Sequence, residues 1–221
     1  MGRGSSKAKG YVAKGELKLP DGSKIEFDGE LRYGDKDKTV TGAVRQNIES
    51  WENRRRKNKI EYAYSVDRDG NPVGPERKGG SGSVRTPYSY HGEGTTFTHI
   101  HPRGAGILGG TFSEGDLQNF AYNRGVTSRA AAKEGTYSIS KGPNFDSKGF
   151  MQYVRQVHRD IDSSTSAQAK AVTKQARDGK ITHAETMQQL GKISNNHLIA
   201  LHNKYLEGQK KYGYIYTLEQ I

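Results

Sequence analysis

Polar and apolar residues alternate near the start of the chain. Glu16-Leu17-Lys18-Leu19 and Lys24-Ile25-Glu26-Phe27 each place an apolar side chain at every second position, the period of a strand with one wet face. Pro20-Asp21-Gly22 between them carries turn chemistry, so residues 10–34 read as a hairpin. The period then lengthens. From about Thr41 to Asn58, Val44, Ile48 and Trp51 are spaced to share one face of a helix. Ile60–Val66 is rich in β-formers and closes at Asp67-Arg-Asp-Gly-Asn-Pro72, which predicts a strand, a tight turn and a return strand. Gly79–Ser83 reads as a loose loop or bulged strand. Thr95–His101 reads as a strand ended by Pro102, with a glycine-rich loop from Gly104 to Gly110. Ser113, followed by Glu114 and Asp116, has the features of a helix start, and that helix runs on to Tyr122. A further strand is expected at 134–139.

The C-terminal third changes character. Phe150 to about Asp178 and Thr182 to about Tyr212 are polar and helix-forming, broken at Asp178-Gly179, which predicts two antiparallel helices. Phe150, Tyr153, Val154 and Val157 form the packing stripe of the first, and Leu198, Leu201 and Tyr205 that of the second. Tyr214–Tyr216 reads as a final short strand. The whole order predicts an α/β (α+β) fold, a mixed β-sheet flanked by helices with an N-terminal β-hairpin and a C-terminal helical hairpin. Three parts are expected: a flexible basic arm at 1–10, a core domain at 11–145, and a helical hairpin at 146–221 packed on or extending that core.

Composition narrows the setting. Hydrophobic residues make up 32% of 221, with a mean hydropathy of −0.91, which allows a modest core under a large wet surface. No apolar run approaches the roughly 20 residues that cross a bilayer, so no membrane association is expected. The N-terminus lacks the apolar stretch of a signal peptide. Gly2 and Ser6 fit a myristoylation pattern, a short pattern that recurs by chance. There are no cysteines, so a transition metal would have to be held by imidazole and carboxylate. The expected compartment is cytoplasmic, in a bacterium or the host cell of a phage. A net charge of +11 would attract nucleic acid or another acidic surface. Its densest run, Arg54-Arg55-Arg56-Lys57-Asn58-Lys59, reads first as a solvated helix end whose cations suit the negative pole of the dipole.

The candidate chemistry lies in two short segments. His99 and His101 are two apart on a strand, so their rings share a face. Ser113 and Asp116 are three apart on the first turn of a helix and share a face there. A carboxylate at Asp116 would complete a His, His, Asp set and leave the fourth tetrahedral position open, as catalytic zinc requires. Glu61, among Ile60, Tyr62 and Ala63, is a carboxylate in a β-forming run and the candidate proton acceptor. Taken singly, each has a blander reading: Ser113 and Asp116 as a helix cap, Glu61 as a strand residue. His91, Glu93, His183, Glu185, His197 and His202 read as ordinary polar residues.

In order and spacing these residues resemble the JAMM (MPN, or JAB) family of zinc metalloproteases. The signature is an upstream glutamate, then His-x-His-Pro, a loop, and Ser-x-x-Asp. It falls here on Glu61, His99-Ile-His101-Pro102 and Ser113-Glu-Gly-Asp116, within residues 41–140. The resemblance implies a cytidine-deaminase-like sheet, with Zn2+ on His99, His101 and Asp116. It implies that Glu61 is the base toward a metal-activated water and that Ser113 steadies the oxyanion. It also implies hydrolysis of peptide or isopeptide bonds in a protein or peptide substrate, including removal of ubiquitin-like modifiers. The chain departs from the family in its loop: ten residues, 103–112, separate Pro102 from Ser113, more than the common spacing. Two other functions fit the residues less fully. One is a JAMM-fold binding or structural module; the other is a phage or toxin-like accessory protein with a nucleic-acid or protein partner.

Overall fold

A computed structural model of the chain describes residues 10–19, 21–102, 104 and 106–221. Nearly all of the expected basic arm, and Pro20 of the first turn, therefore lie outside the described residues. Strands β1 (Val12–Lys18) and β2 (Lys24–Arg32) form the N-terminal hairpin, with Leu17 opposite Ile25. Alternation does what it should: Ala13, Leu17, Ile25, Phe27 and Leu31 are buried while most of their neighbours stay wet. At the turn the Asp21 carboxylate accepts from the N–H and hydroxyl of Ser23, and Gly22 takes the positive φ of 82°.

The hairpin is a sheet of its own. The main sheet has six strands in the order β4-β3-β5-β6-β7-β8. These are β3 (Tyr62–Val66), β4 (Arg77–Lys78), β5 (Thr96–Ile100), β6 (Thr127–Ala132), β7 (Gly135–Lys141) and β8 (Tyr214–Glu219). Among the described strands only β5 and β6 run parallel; helix α2 (Glu114–Tyr122) lies between them in the chain and makes the crossover that parallel strands need. Two differences from the sequence reading concern this sheet. The return strand after Pro72 shrinks to the two residues of β4, while Gly79–Ser83 takes the loop form of its two expected readings. Strand β6 carries no strand signal in the sequence: Thr-Ser-Arg-Ala-Ala-Ala is buried along its whole length, so it lacks the polar-apolar alternation that betrays a half-wet strand.

Helix α1 (Gly42–Arg55) begins after Thr41 and ends three residues before the expected Asn58. Helices α3 (Ser147–Arg177) and α4 (His183–Tyr212) form the C-terminal pair. Asp146 caps α3 by accepting from the Gly149 N–H, and Thr182 with Glu185 forms a reciprocal capping box on α4. Gly213 stops α4 in the left-handed region at φ 69° and turns the chain into β8. No helix among the described residues is long and apolar enough to cross a membrane.

Alternation along β5 and β6 assigns the two faces of the sheet. Thr98, Ile100, Arg129 and Ala131 face α1, where Trp51 stacks on Tyr64 at 5.4 Å and packs with Ile100 and Ala131. That face also buries charge. The Arg129 guanidinium, 0% exposed, bonds both oxygens of Glu52 (2.8 and 3.1 Å) and both of Glu219 (3.1 and 3.0 Å). Ala130, Ala132, Tyr137 and Ile139 face the other way and join one apolar cluster with the β1–β2 hairpin, α2, α3 and α4. The candidate site opens on this second side.

Candidate metal centre

Phe97, His99 and His101 point to the side away from α1, and the rings of Phe97 and His99 stack at 5.5 Å. His101 lies one residue beyond β5, but its N–H still bonds the Ala131 carbonyl at 3.0 Å, so the ladder carries its ring alongside His99. The two Nε2 atoms stand 2.7 Å apart. Asp116, in the first turn of α2, completes the group: Oδ1 is 3.4 Å from His99 Nε2 and Oδ2 is 3.8 Å from His101 Nε2. One ligand atom from each of the three residues falls within 4.8 Å of the others. The spacing suits a metal, since ligands about 2.0–2.1 Å from a tetrahedral ion stand about 3.3 Å from one another. His99, His101 and Asp116 thus form a partly buried group able to hold a metal ion.

The protonation pattern follows from partners. His101 Nδ1 is 3.0 Å from the Gly110 carbonyl oxygen. A carbonyl can only accept, so Nδ1 carries a proton, which leaves Nε2 as the nitrogen turned to the centre of the group. His99 is 2% exposed, and burial disfavours its cation, but the Asp116 carboxylate outweighs that and raises its pKa, with a contribution from Glu61. Burial likewise opposes the charge on Asp116, yet the two imidazoles hold its pKa well below the usual carboxylate range. His99 Nδ1 is turned toward the Arg129 backbone without a bond of ordinary geometry and is buried.

Ser113 is the N-cap of α2. Its Oγ accepts from the Asp116 N–H at 3.2 Å and donates to Asp116 Oδ2 at 2.7 Å, while its own N–H donates to the same oxygen at 2.8 Å. The cap and the candidate ligand are one carboxylate, so the helix-cap reading of these residues does not exclude the site reading. Glu61 precedes β3 by one residue, is half-buried, and exchanges backbone bonds with Gly80 (2.7 Å) and Gly79 (2.8 Å). Ala63 pairs with His99 across the β3–β5 ladder, and continuing that register sets Glu61 opposite His101 on the same face. All five candidate residues line one cleft of about 430 Å3.

Compared with protein-family models, with curated proteins and with solved structures, the chain matches none.

The cleft has a wall that the sequence did not announce. His158 of α3 and His197 and Leu198 of α4 line it opposite the sheet, with His91 at the side of Phe97. The one local signal for His158 is its place four residues after Val154, beside the packing stripe of α3. His158 Nε2 bonds the Tyr205 hydroxyl at 2.8 Å, and His197 Nδ1 bonds Thr165 Oγ1 at 3.1 Å. Burial lowers the pKa values of His91 and His197, so both are neutral near pH 7. The basic run at the end of α1 is partly absorbed into the fold. Arg55 makes a two-pronged pair with Glu76 at 2.7 Å, and half-buried Arg56 bonds the Ala132 and Gly135 carbonyls.

Proposed function

We propose that the chain is a zinc-dependent hydrolase of peptide or isopeptide bonds in protein substrates, with a JAMM-type fold and site. The observation that carries this reading is the convergence of His99, His101 and Asp116 on one point of a cleft that Glu61 also lines. Two imidazoles and one carboxylate suit zinc better than calcium or magnesium, which prefer all-oxygen shells. When bound, zinc polarises a carbonyl and lowers the pKa of a water toward about 7.

The chain's own groups supply the rest. Glu61 accepts a proton from the attacking water and returns it to the leaving amine, a transfer that its place opposite His101 suits. Phe97 and Phe112 give the cleft an apolar floor that limits water around the reacting carbonyl. Ser113 holds Asp116 in place; its hydroxyl proton is committed to Oδ2, so steadying an oxyanion would require that bond to open. A cysteine-free chain with this ligand set works without disulfides or thiolates, which suits the reducing bacterial or host cytoplasm.

Elemental analysis of the purified native chain against a His99→Ala, His101→Ala double variant tests the reading. About one zinc per chain, lost in the double variant, is expected. Glu61→Gln should keep the zinc and lose hydrolysis of a ubiquitin-like fusion by at least about a hundredfold, the usual scale for a general base. A native chain that takes up no zinc on incubation with the metal, or a fully active Glu61→Gln, overturns it.

A further inference from the structure

Glu134 is buried, 4% exposed, in the turn between β6 and β7. Among the described residues its carboxylate makes no ion pair within contact distance and spends its oxygens on donors instead. Oε2 accepts the Gly109 N–H at 2.9 Å; Oε1 accepts the Gly110 N–H at 2.7 Å and the Tyr137 hydroxyl at 3.0 Å. We propose that Glu134 is a positioning residue for His101, acting through the Gly109–Gly110 backbone to fix the ring's tautomer and angle. The use of that tautomer, to present Nε2 to a metal, rests on the reading of the site as a metal centre.

The geometry leaves little slack between the two residues. A Cβ on Gly109 would stand 2.4 Å from the Ala132 Cβ, and Gly110 sits at φ 86° with Leu198 pressed against it, 2.6 Å from any Cβ it might carry. Only glycines allow this backbone to lie between α4 and β6 while both amides turn toward Glu134. With its amide held there, Gly110 aims its carbonyl at His101 Nδ1, 3.0 Å away. The other half of the loop is held by Asn195 of α4, buried at 1% exposure. It accepts from the Leu108 N–H at 2.9 Å and donates to the Gly106 carbonyl at 2.9 Å.

A buried carboxylate is an expensive way to hold a loop, because its charge must leave water. The charge has a use here. Metal-bound histidines commonly donate their second N–H to a carboxylate or a carbonyl, which fixes the tautomer and makes the ligating nitrogen more basic. Glu134 reaches His101 by position: it fixes the Gly109 and Gly110 amides, and the Gly110 carbonyl of the next peptide unit meets the imidazole.

Glu134→Gln in the full chain tests the proposal, since the amide keeps the shape but offers one accepting oxygen in place of two. In metal-free protein, 15N signals of the His101 ring should show Nδ1 protonated in the native chain and a mixture of tautomers in the variant. Competition with a chelator should show zinc held 10- to 100-fold more weakly, the usual effect of losing an outer partner. Thr182→Ala, which weakens the cap of α4 far from the loop, should change neither signal. If Glu134→Gln does not fold, Glu134→Asp withdraws the carboxylate by one methylene and should move both readouts the same way by less. A folded variant at Glu134 with the native tautomer and native zinc affinity overturns the proposal. A native chain that binds no zinc would instead remove the metal reading, and the ring signals of the metal-free protein would still report on Glu134.

Discussion

Asp116 serves two structures with one side chain. It closes the capping box with Ser113 and faces the two imidazoles, so changes at Ser113 and at Asp116 should separate those uses. Ser113→Ala removes the cap and the hydroxyl that orients Oδ2. It should cost about 1 kcal/mol in urea unfolding and weaken zinc while leaving it measurable. Asp116→Asn should abolish tight zinc binding. Equal zinc affinity in both variants would mean the carboxylate is only a cap. Arg129 is the other residue on which much rests, because it is the cation between Glu52 and Glu219 on the α1 side. Arg129→Met leaves two buried carboxylates facing one another and should cost about 3–5 kcal/mol. A loss below about 1 kcal/mol, within the range of an exposed ion pair, would show that water reaches the network.

Among the elements, α4 ties the hairpin, the loop and the last strand together. His202, 0% exposed, bonds the Tyr216 hydroxyl of β8 (2.9 Å) and the Arg32 carbonyl at the end of β2 (2.8 Å). Burial lowers its pKa to about 4 from an ordinary 6.5. Above pH 6.5 the ring is neutral folded or unfolded, and its stabilising contacts are intact. As pH falls from 6.5 toward 4 the unfolded chain takes up the proton first, so stability drops by about 3 kcal/mol across that window. Urea midpoints measured at pH 7, 5.5 and 4.5 should show this slope, and His202→Gln should lack that part of it; equal slopes in the two proteins would exclude His202 as the source. The elements also differ in how openly the sequence displays them. The hairpin, α1, α3 and α4 keep one wet face, so their periods of two or 3.6 residues survive in the sequence. Strand β6 is buried on both faces and leaves no period to read. His158 has no local signal beyond its place beside the packing stripe and His197 reads as an ordinary polar residue, because what matters about them is the wall they form across the cleft from β5, between residues more than fifty positions apart.

For the whole molecule, the C-terminal helices and strand are part of one packed body with the rest. Phe150, Val154, Leu201, Tyr205 and Leu218 share a cluster with Ile25, Leu31 and Phe120, and Glu219 closes the charged network of Arg129. A chain ended before Ser147 should therefore show no cooperative unfolding transition by circular dichroism, and a sharp transition in that piece would contradict this account. The sequence by itself determined the hairpin, the two long helices, the cap of α2, and the spacing that sets His99 beside His101 and Ser113 over Asp116. Those are local facts, governed by the period of a strand or a helix turn. Tertiary structure alone decided that Asp116 meets the histidines and that Glu61 comes opposite His101. It also decided that Glu134 and Asn195 hold the glycine loop and that α3 and α4 roof the cleft. These depend on which faces bury one another and on sheet register, and burial couples residues whose distance along the chain carries no trace of it.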